Sequence, residues 1–313
     1  MEIYSSIESL KADRPIVTMG IFDGVHTGHA ALLKRLVELS KENNRESVLL
    51  TFSPHPRIVL NQDADKLQLL TSLDEKIKII SEFGINHLII EPFTHELASL
   101  SAEDFITGYL INKMNIGHLL AGYNHRFGKG GIDFDTLSDI SRKHDFGLTQ
   151  FGRVDIGELH PGSSKIRSLL LSGKIREANV LLGYKYKILG KVTEGSKIGR
   201  QLNYPTANIS LKEPMKLVPS DGVYACLVKV GGKAYGGMVN IGFRPTVNSK
   251  DSNHSIEAHI FDFDKDIYSE EIEICFVDKV REEICFSGME ELKKQLSDDE
   301  MVVRDIIVTE KSL

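Results

Sequence analysis

The stretch Val17-Thr18-Met19-Gly20-Ile21-Phe22-Asp23-Gly24-Val25-His26-Thr27-Gly28-His29 runs straight into Ala30-Ala31-Leu32-Leu33-Lys34-Arg35-Leu36. An apolar, β-branched run ends in Gly and Asp, a His-x-Gly-His tetrad follows, and apolar residues then recur at 32, 33, 36 and 39 with helical spacing. That order predicts a strand, a glycine-loosened turn, and a helix whose first turn carries two imidazoles. Unpaired N–H groups and the positive end of the macrodipole make a helix N-terminus a seat for phosphate. Gly24 and Gly28 let backbone approach an anion, and His26 and His29 can donate to its oxygens. Two histidines that merely satisfy a turn are the plainer alternative.

The units that follow repeat the theme. The apolar run at 47–52 ends at Ser53-Pro54-His55-Pro56, and Ser72-Leu73-Asp74-Glu75 has the form of a capping box opening a helix toward Gly84. Residues 88–90 read as the next strand and Ser101-Ala102-Glu103-Asp104 as another helix start. Leu119-Leu120-Ala121 leads into Gly122-Tyr123-Asn124-His125-Arg126-Phe127-Gly128. Alternation of this kind predicts an α/β, doubly wound, mostly parallel sheet, with ligands beyond the carboxyl ends of its strands.

At 313 residues the chain is long for a single core, so two domains are expected. After two short helical runs at 163–172 and 175–182, strand signals recur at hairpin spacing. The strands at 222–230 and 234–241 flank Gly231-Gly232, and those at 255–261 and 272–277 alternate apolar with polar residues. These predict a small antiparallel β-barrel, closed by a helix at 289–296. The boundary is placed at 183, giving domains 1–183 and 184–313.

A net charge of −6 argues against a nucleic-acid grip. The three cysteines form no Cys-x-x-Cys pair and read as reduced thiols. With neither a signal-peptide core nor an 18-residue apolar run, the expectation is a cytoplasmic protein with no membrane partner. Oligomeric state is not readable.

The second domain carries its own glycine-rich loop, Gly195-Ser196-Lys197-Ile198-Gly199-Arg200-Gln201-Leu202-Asn203-Tyr204-Pro205-Thr206-Ala207-Asn208. Gly195 and Gly199 beside Lys197 and Arg200 can wrap a nucleotide, although the pattern is neither a P-loop nor a dinucleotide fingerprint. In an extended segment Thr206 and Asn208 face one way, and their oxygens suit Mg²⁺. An ordinary proline-containing turn accounts for the same residues. Glu257 shares a face with His259 opposite Ile256, Ala258 and Ile260. It is either a solvated carboxylate or, inside a barrel mouth, an acceptor for a substrate hydroxyl proton.

Taken together, the motifs at 20–29, 51–56, 122–128 and 199–208 resemble those of the bacterial bifunctional riboflavin kinase/FMN adenylyltransferases, also called FAD synthetases, in order along nearly the whole chain. The resemblance implies an N-terminal nucleotidyltransferase making FAD from FMN and ATP, and a C-terminal flavokinase barrel making FMN from riboflavin and ATP. It implies Mg²⁺ as cofactor, ATP as co-substrate, and riboflavin and FMN as partners. Carried over by position, His26 and His29 act on the ATP phosphates, with Gly20, Phe22, Asp23, Gly24 and Gly28 around the nucleotide. Ser164 and Arg167, in Gly162-Ser163-Ser164-Lys165-Ile166-Arg167, join the triphosphate. In the kinase half Gly195, Gly199 and Arg200 bind nucleotide, Thr206 and Asn208 hold Mg²⁺ and nucleotide, and Glu257 is the catalytic base. His55 and Asn124 lie on the flavin side of the first site, and Arg281 borders the flavin of the second. Four positions depart from the family pattern: His125 where Phe is usual, Gly162 for a hydroxyl residue, Asn203 and Ser269 for Gly. A kinase with a weakened adenylyltransferase is therefore the alternative reading. A flavin-binding protein without catalysis is a third, which has no use for the retained base and metal-type donors.

Overall fold

The computed structural model describes residues 1–62, 67–123, 127–157, 159–194, 199, 202–243 and 254–311. They form two compact units, Met1–Gly162 and Ser163–Leu313.

The first unit is built on six parallel strands: β1 (Glu2–Tyr4), β2 (Ile16–Met19), β3 (Ser47–Ser53), β4 (His87–Pro92), β5 (His118–Gly122) and β6 (Gly147–Phe151). Their order is β1-β4-β3-β2-β5-β6. Every residue of β2 and the first six of β3 are buried, as continuous apolar runs in a sheet covered on both faces require. One core layer gathers Val17, Leu50, Phe105, Ile106 and Leu110. The other gathers Ile16, Leu49, Leu88 and the inward stripe Leu32, Leu33 and Leu36 of α1 (Thr27–Glu42). The chain leaves β2 first toward β3 and β4 and later returns to the other side of β2 as β5, so the order reverses beside β2. That switch point is where doubly wound sheets open a crevice.

The short α2 (Pro56–Val59) follows β3, and the capping box expected at Ser72 is formed at the start of α3 (Leu73–Ser81). Helix α4 (His95–Ser99) precedes α5 (Ala102–Phe105), which Ser101 caps. Helix α5 continues as a π-helical segment, Ile106–Lys113, that no sequence signal announced. Helix α6 (Phe134–Lys143) leads to β6.

The second unit opens with α7 (Ser163–Leu171) and α8 (Ile175–Leu182), the latter stopped by Gly183 at φ 80°. Six strands follow: β7 (Lys187–Thr193), β8 (Ala207–Leu211), β9 (Gly222–Val230), β10 (Lys233–Phe243), β11 (His254–Ile260) and β12 (Glu271–Arg281). They close into an antiparallel barrel in the order β10-β11-β8-β7-β12-β9. Gly231 and Gly232, at φ 53° and 79°, make the two-residue turn between β9 and β10.

The terminal helix α9 spans Met289–Lys311, 23 residues, and so runs well beyond the expected 289–296. Past the acidic residues 298–300, Val303 and Ile307 are buried against Val223, Ala225, Met238 and Phe261. Tertiary burial outweighs the local signal.

Candidate active sites

In the first unit the loop after β2 folds tightly. Phe22 and Val25 take φ of 51° and 34°, and Gly24 supplies 84°. Strained backbone of this kind persists only where its surroundings over-determine it, and here they do. The buried Asp23 carboxylate accepts from the backbone N–H groups of Leu70 (3.0 Å) and Thr71 (3.1 Å). The Thr71 hydroxyl in turn accepts from the Gly24 N–H at 3.1 Å. Lys76, 8% exposed, donates to the Ile21 carbonyl at 2.7 Å, which also receives the Thr51 hydroxyl at 3.3 Å. Burial lowers the Lys76 pKa, with the Asp23 charge opposing that shift. Asp23, expected at the nucleotide, thus directs its carboxylate to the loop that closes the turn. Lys76 went unremarked in the sequence because a lysine inside a helical pattern looks like a solvated one.

His26 is the N-cap of α1, and its Nδ1 accepts from the His29 N–H at 3.3 Å. The two imidazoles stack at 3.7 Å and 16°, and Phe22 covers His29 at 4.7 Å. Burial lowers the His26 pKa to about 4, against the opposing pull of Asp23. His26 is therefore neutral at pH 7, and with Nδ1 accepting, its proton sits on Nε2, a donor fixed in tautomer. A Cβ on Gly28 would come within 3.3 Å of the His26 ring, so the small residue of the tetrad makes room for the imidazole itself. Gly20 donates its N–H to the Leu50 carbonyl at 3.0 Å, where β2 leaves the sheet.

His55 caps α2, its Nδ1 accepting from the Arg57 N–H at 3.2 Å. Asn124, with His125, lies outside the described residues. Ser164 and Arg167 stand one turn apart on α7, Ser164 exposed and Arg167 half-buried.

The barrel brings three predicted residues together. Register pairs Glu257 of β11 with Asn208 of β8, and opposite residues in a ladder share a face. The Thr206 hydroxyl, two residues before Asn208, donates to Glu257 Oε2 at 3.2 Å. On its other flank Glu257 faces Asn240 of β10, which sequence reasoning passed over. The available signal was one amide inside Met238-Val239-Asn240-Ile241. Ile256, Ala258 and Ile241 fill the buried face of the same strands, leaving Asn208, Asn240 and Glu257 half-buried on the other, with Thr206 exposed beside them. Thr206, Asn208 and Glu257 present hydroxyl, amide and carboxylate oxygens, a hard donor set suited to Mg²⁺ with phosphate.

Beside them, a cavity of 490 Å³ is lined by Tyr204, Pro205, His259, Phe261, Glu300 and Arg304, among others. His259 Nδ1 lies 2.8 Å from the Pro205 carbonyl, tying β11 to the segment that carries Thr206. The Gly199 carbonyl accepts from the N–H groups of Leu202 (3.1 Å) and Tyr204 (2.8 Å). Gly195 and Arg200 lie outside the described residues. Arg281 forms a forked ion pair with the buried Asp299, at 2.7–3.0 Å, and donates to the Glu282 carbonyl at 2.9 Å. Its guanidinium fixes the chain after β12. No described helix is long and apolar enough to cross a membrane.

Comparison with known proteins agrees with both halves of this geometry. The FAD synthetase family model matches residues 9–165, and the riboflavin kinase model matches residues 182–307. A bifunctional riboflavin kinase/FMN adenylyltransferase of Buchnera aphidicola subsp. Schizaphis graminum is 37% identical, over 97% of this chain and 98% of its own. One from Listeria monocytogenes is 35% identical, over 92% and 91%. A solved structure from Streptococcus pneumoniae, described as a macrolide-efflux protein, aligns with a TM-score of 0.88 at 28% identity, covering 96% of this chain and 98% of its own.

Proposed function

The chain belongs to the family of bifunctional riboflavin kinase/FMN adenylyltransferases, and on that premise we propose how its residues divide the two reactions. It is an enzyme that phosphorylates riboflavin to FMN with ATP and adenylylates FMN to FAD with a second ATP. Residues 1–183 are assigned the adenylyltransferase and 184–313 the kinase.

The kinase reading rests on one observation above all: the hydroxyl of Thr206 and the register partner Asn208 both meet Glu257. Glu257 accepts the proton of the ribityl 5′-hydroxyl as its oxygen attacks the γ-phosphorus of ATP. The bond to the bridging oxygen breaks, and ADP leaves with the electron pair. Thr206 and Asn208 would hold Mg²⁺ against the phosphates, where the bound ion offsets their charge. The cavity beside Pro205 and His259 receives the nucleoside part of ATP, its 490 Å³ falling in the range of small-molecule sites.

In the adenylyltransferase an FMN phosphate oxygen attacks the α-phosphorus of ATP in line, and pyrophosphate departs. No covalent enzyme intermediate is required, because catalysis comes from positioning and from charge stabilisation. His26 donates through Nε2 and His29 stacks against it at the start of α1, where the helix N-terminus favours the triphosphate. Asp23 and Lys76 hold the loop; Gly20, Phe22, Gly24 and Gly28 shape it. By family position Ser164 and Arg167 are assigned to the phosphates, and His55 and Asn124 to the flavin. Both reactions are consistent with a cytoplasmic enzyme.

The test is to incubate the purified chain with riboflavin and MgATP and resolve the flavins by chromatography. FMN should appear first and FAD after it. FMN alone would favour a kinase with a weakened adenylyltransferase, with His125 and Gly162 as the positions to restore.

A further inference from the structure

Gly242 lies in β10 two residues beyond Asn240, the register partner of Glu257, so its missing side chain belongs to the Glu257 face of the barrel. That space is already taken: a Cβ on Gly242 would collide with the carboxylate of Glu283, while the backbone of Gly242 lets it lie flat on the strand. Glu283 reaches there because Arg281 clamps the chain after β12, pairing with Asp299 and binding the Glu282 carbonyl. Glu283 is exposed and makes no hydrogen bond or ion pair to a described residue. A carboxylate held against a strand, with no hydrogen bond or ion pair among the described residues, has acceptor capacity for a ligand.

We infer that Glu283 is a specificity-determining residue of the kinase site, whose carboxylate accepts hydrogen bonds from the inner hydroxyls of the ribityl chain. The inference rests on the kinase reading above, which sets the 5′-hydroxyl at Glu257. The remaining hydroxyls of the polyol then run back toward the ring system. Two residues along a strand is about 7 Å, which is the reach of a short polyol chain. Glu283 thus selects a flavin bearing a polyhydroxylated chain, whereas Glu257 acts on its terminal hydroxyl. A site built to bind a substrate hydroxyl discriminates strongly against the analogue that lacks it.

The experiment compares riboflavin with a flavin whose N10 chain is an unsubstituted 5-hydroxypentyl group, measuring binding to the full chain by quenching of flavin fluorescence. Glu283→Ala should weaken riboflavin about tenfold, the loss expected for a charge-assisted hydrogen bond, and leave the deoxygenated analogue unchanged. The loss should appear in KM for riboflavin rather than in kcat. Gly242→Ala, which keeps the carboxylate but displaces it, should show the same selective loss. Equal weakening of both flavins by Glu283→Ala, or none of either, overturns the inference. If the unmodified chain forms no FMN, the kinase reading fails instead, and the binding comparison separates that failure from this one.

Discussion

Thr206 donates its hydroxyl hydrogen bond to Glu257 across 3.2 Å, joining two segments 51 residues apart. In the sequence each had an ordinary explanation: a turn residue after proline, and a carboxylate on the outer face of a strand. Together with Asn208 they become a paired set of oxygen donors on one face of a closed barrel. The contact sets a neutral hydroxyl donor against the Glu257 carboxylate.

Asn208→Ala removes one of the two donors assigned to Mg²⁺ and nucleotide. MgATP binding in the kinase reaction should weaken by about tenfold or more, while FAD formation from supplied FMN holds. Steady-state kinetics over a Mg²⁺ and ATP grid reads this directly. Unchanged nucleotide affinity and turnover would return the segment to an ordinary turn.

His29→Ala removes a group proposed to stabilise the triphosphate as the α-phosphorus is attacked. Loss of one such donor typically costs about 10²–10³ in rate, so FAD formation should fall by that factor and riboflavin phosphorylation by no more than a few-fold. A mutant that still makes FAD at the parental rate would contradict the assignment.

His26 makes a pH prediction with a definite sign. Its pKa falls from 6.5 in the unfolded chain to about 4 in the folded one, because burial disfavours the imidazolium. The unfolded state therefore takes up a proton first as pH drops. Stability from this group is complete above pH 6.5 and is lost between pH 6.5 and 4. Denaturation followed across that window should show the decline, and His26→Asn, which preserves an N-cap acceptor, should flatten it. An equally steep decline in the variant would remove His26 as its source.

Much of this fold is legible in the chain, and the reasons are local. The capping box at Ser72, the Gly231-Gly232 hairpin and the alternation of β11 are all written within a few residues. What was not legible depends on distant partners. Asp23 and Lys76 look like loop and surface residues until residues 70–71 and the Ile21 carbonyl are brought to them. Asn240 gains meaning only from its register with Glu257. The acidic run at 298–300 hides Asp299, which is 2% exposed and is the counter-ion of Arg281. For the same reason α9 was read too short.

That pair gives a stability prediction. Asp299→Ala would leave the Arg281 guanidinium, itself 16% exposed, without its counter-charge. Breaking a buried pair on one side costs about 3 kcal/mol, which denaturant titration resolves easily. A loss below about 1 kcal/mol would class the contact with weak surface pairs.

The most direct measurement of the account as a whole is the pair of rates in Glu257→Gln. Glutamine keeps the size of the side chain and a hydrogen-bonding oxygen for Thr206, but it cannot take a proton from the 5′-hydroxyl. The account predicts that FMN formation from riboflavin is lost by a factor of about 10²–10⁴, as for removal of a general base, while FAD formation from supplied FMN continues at the parental rate. FMN formation within a few-fold of the parent would contradict it and return Glu257 to the solvated outer face of its strand.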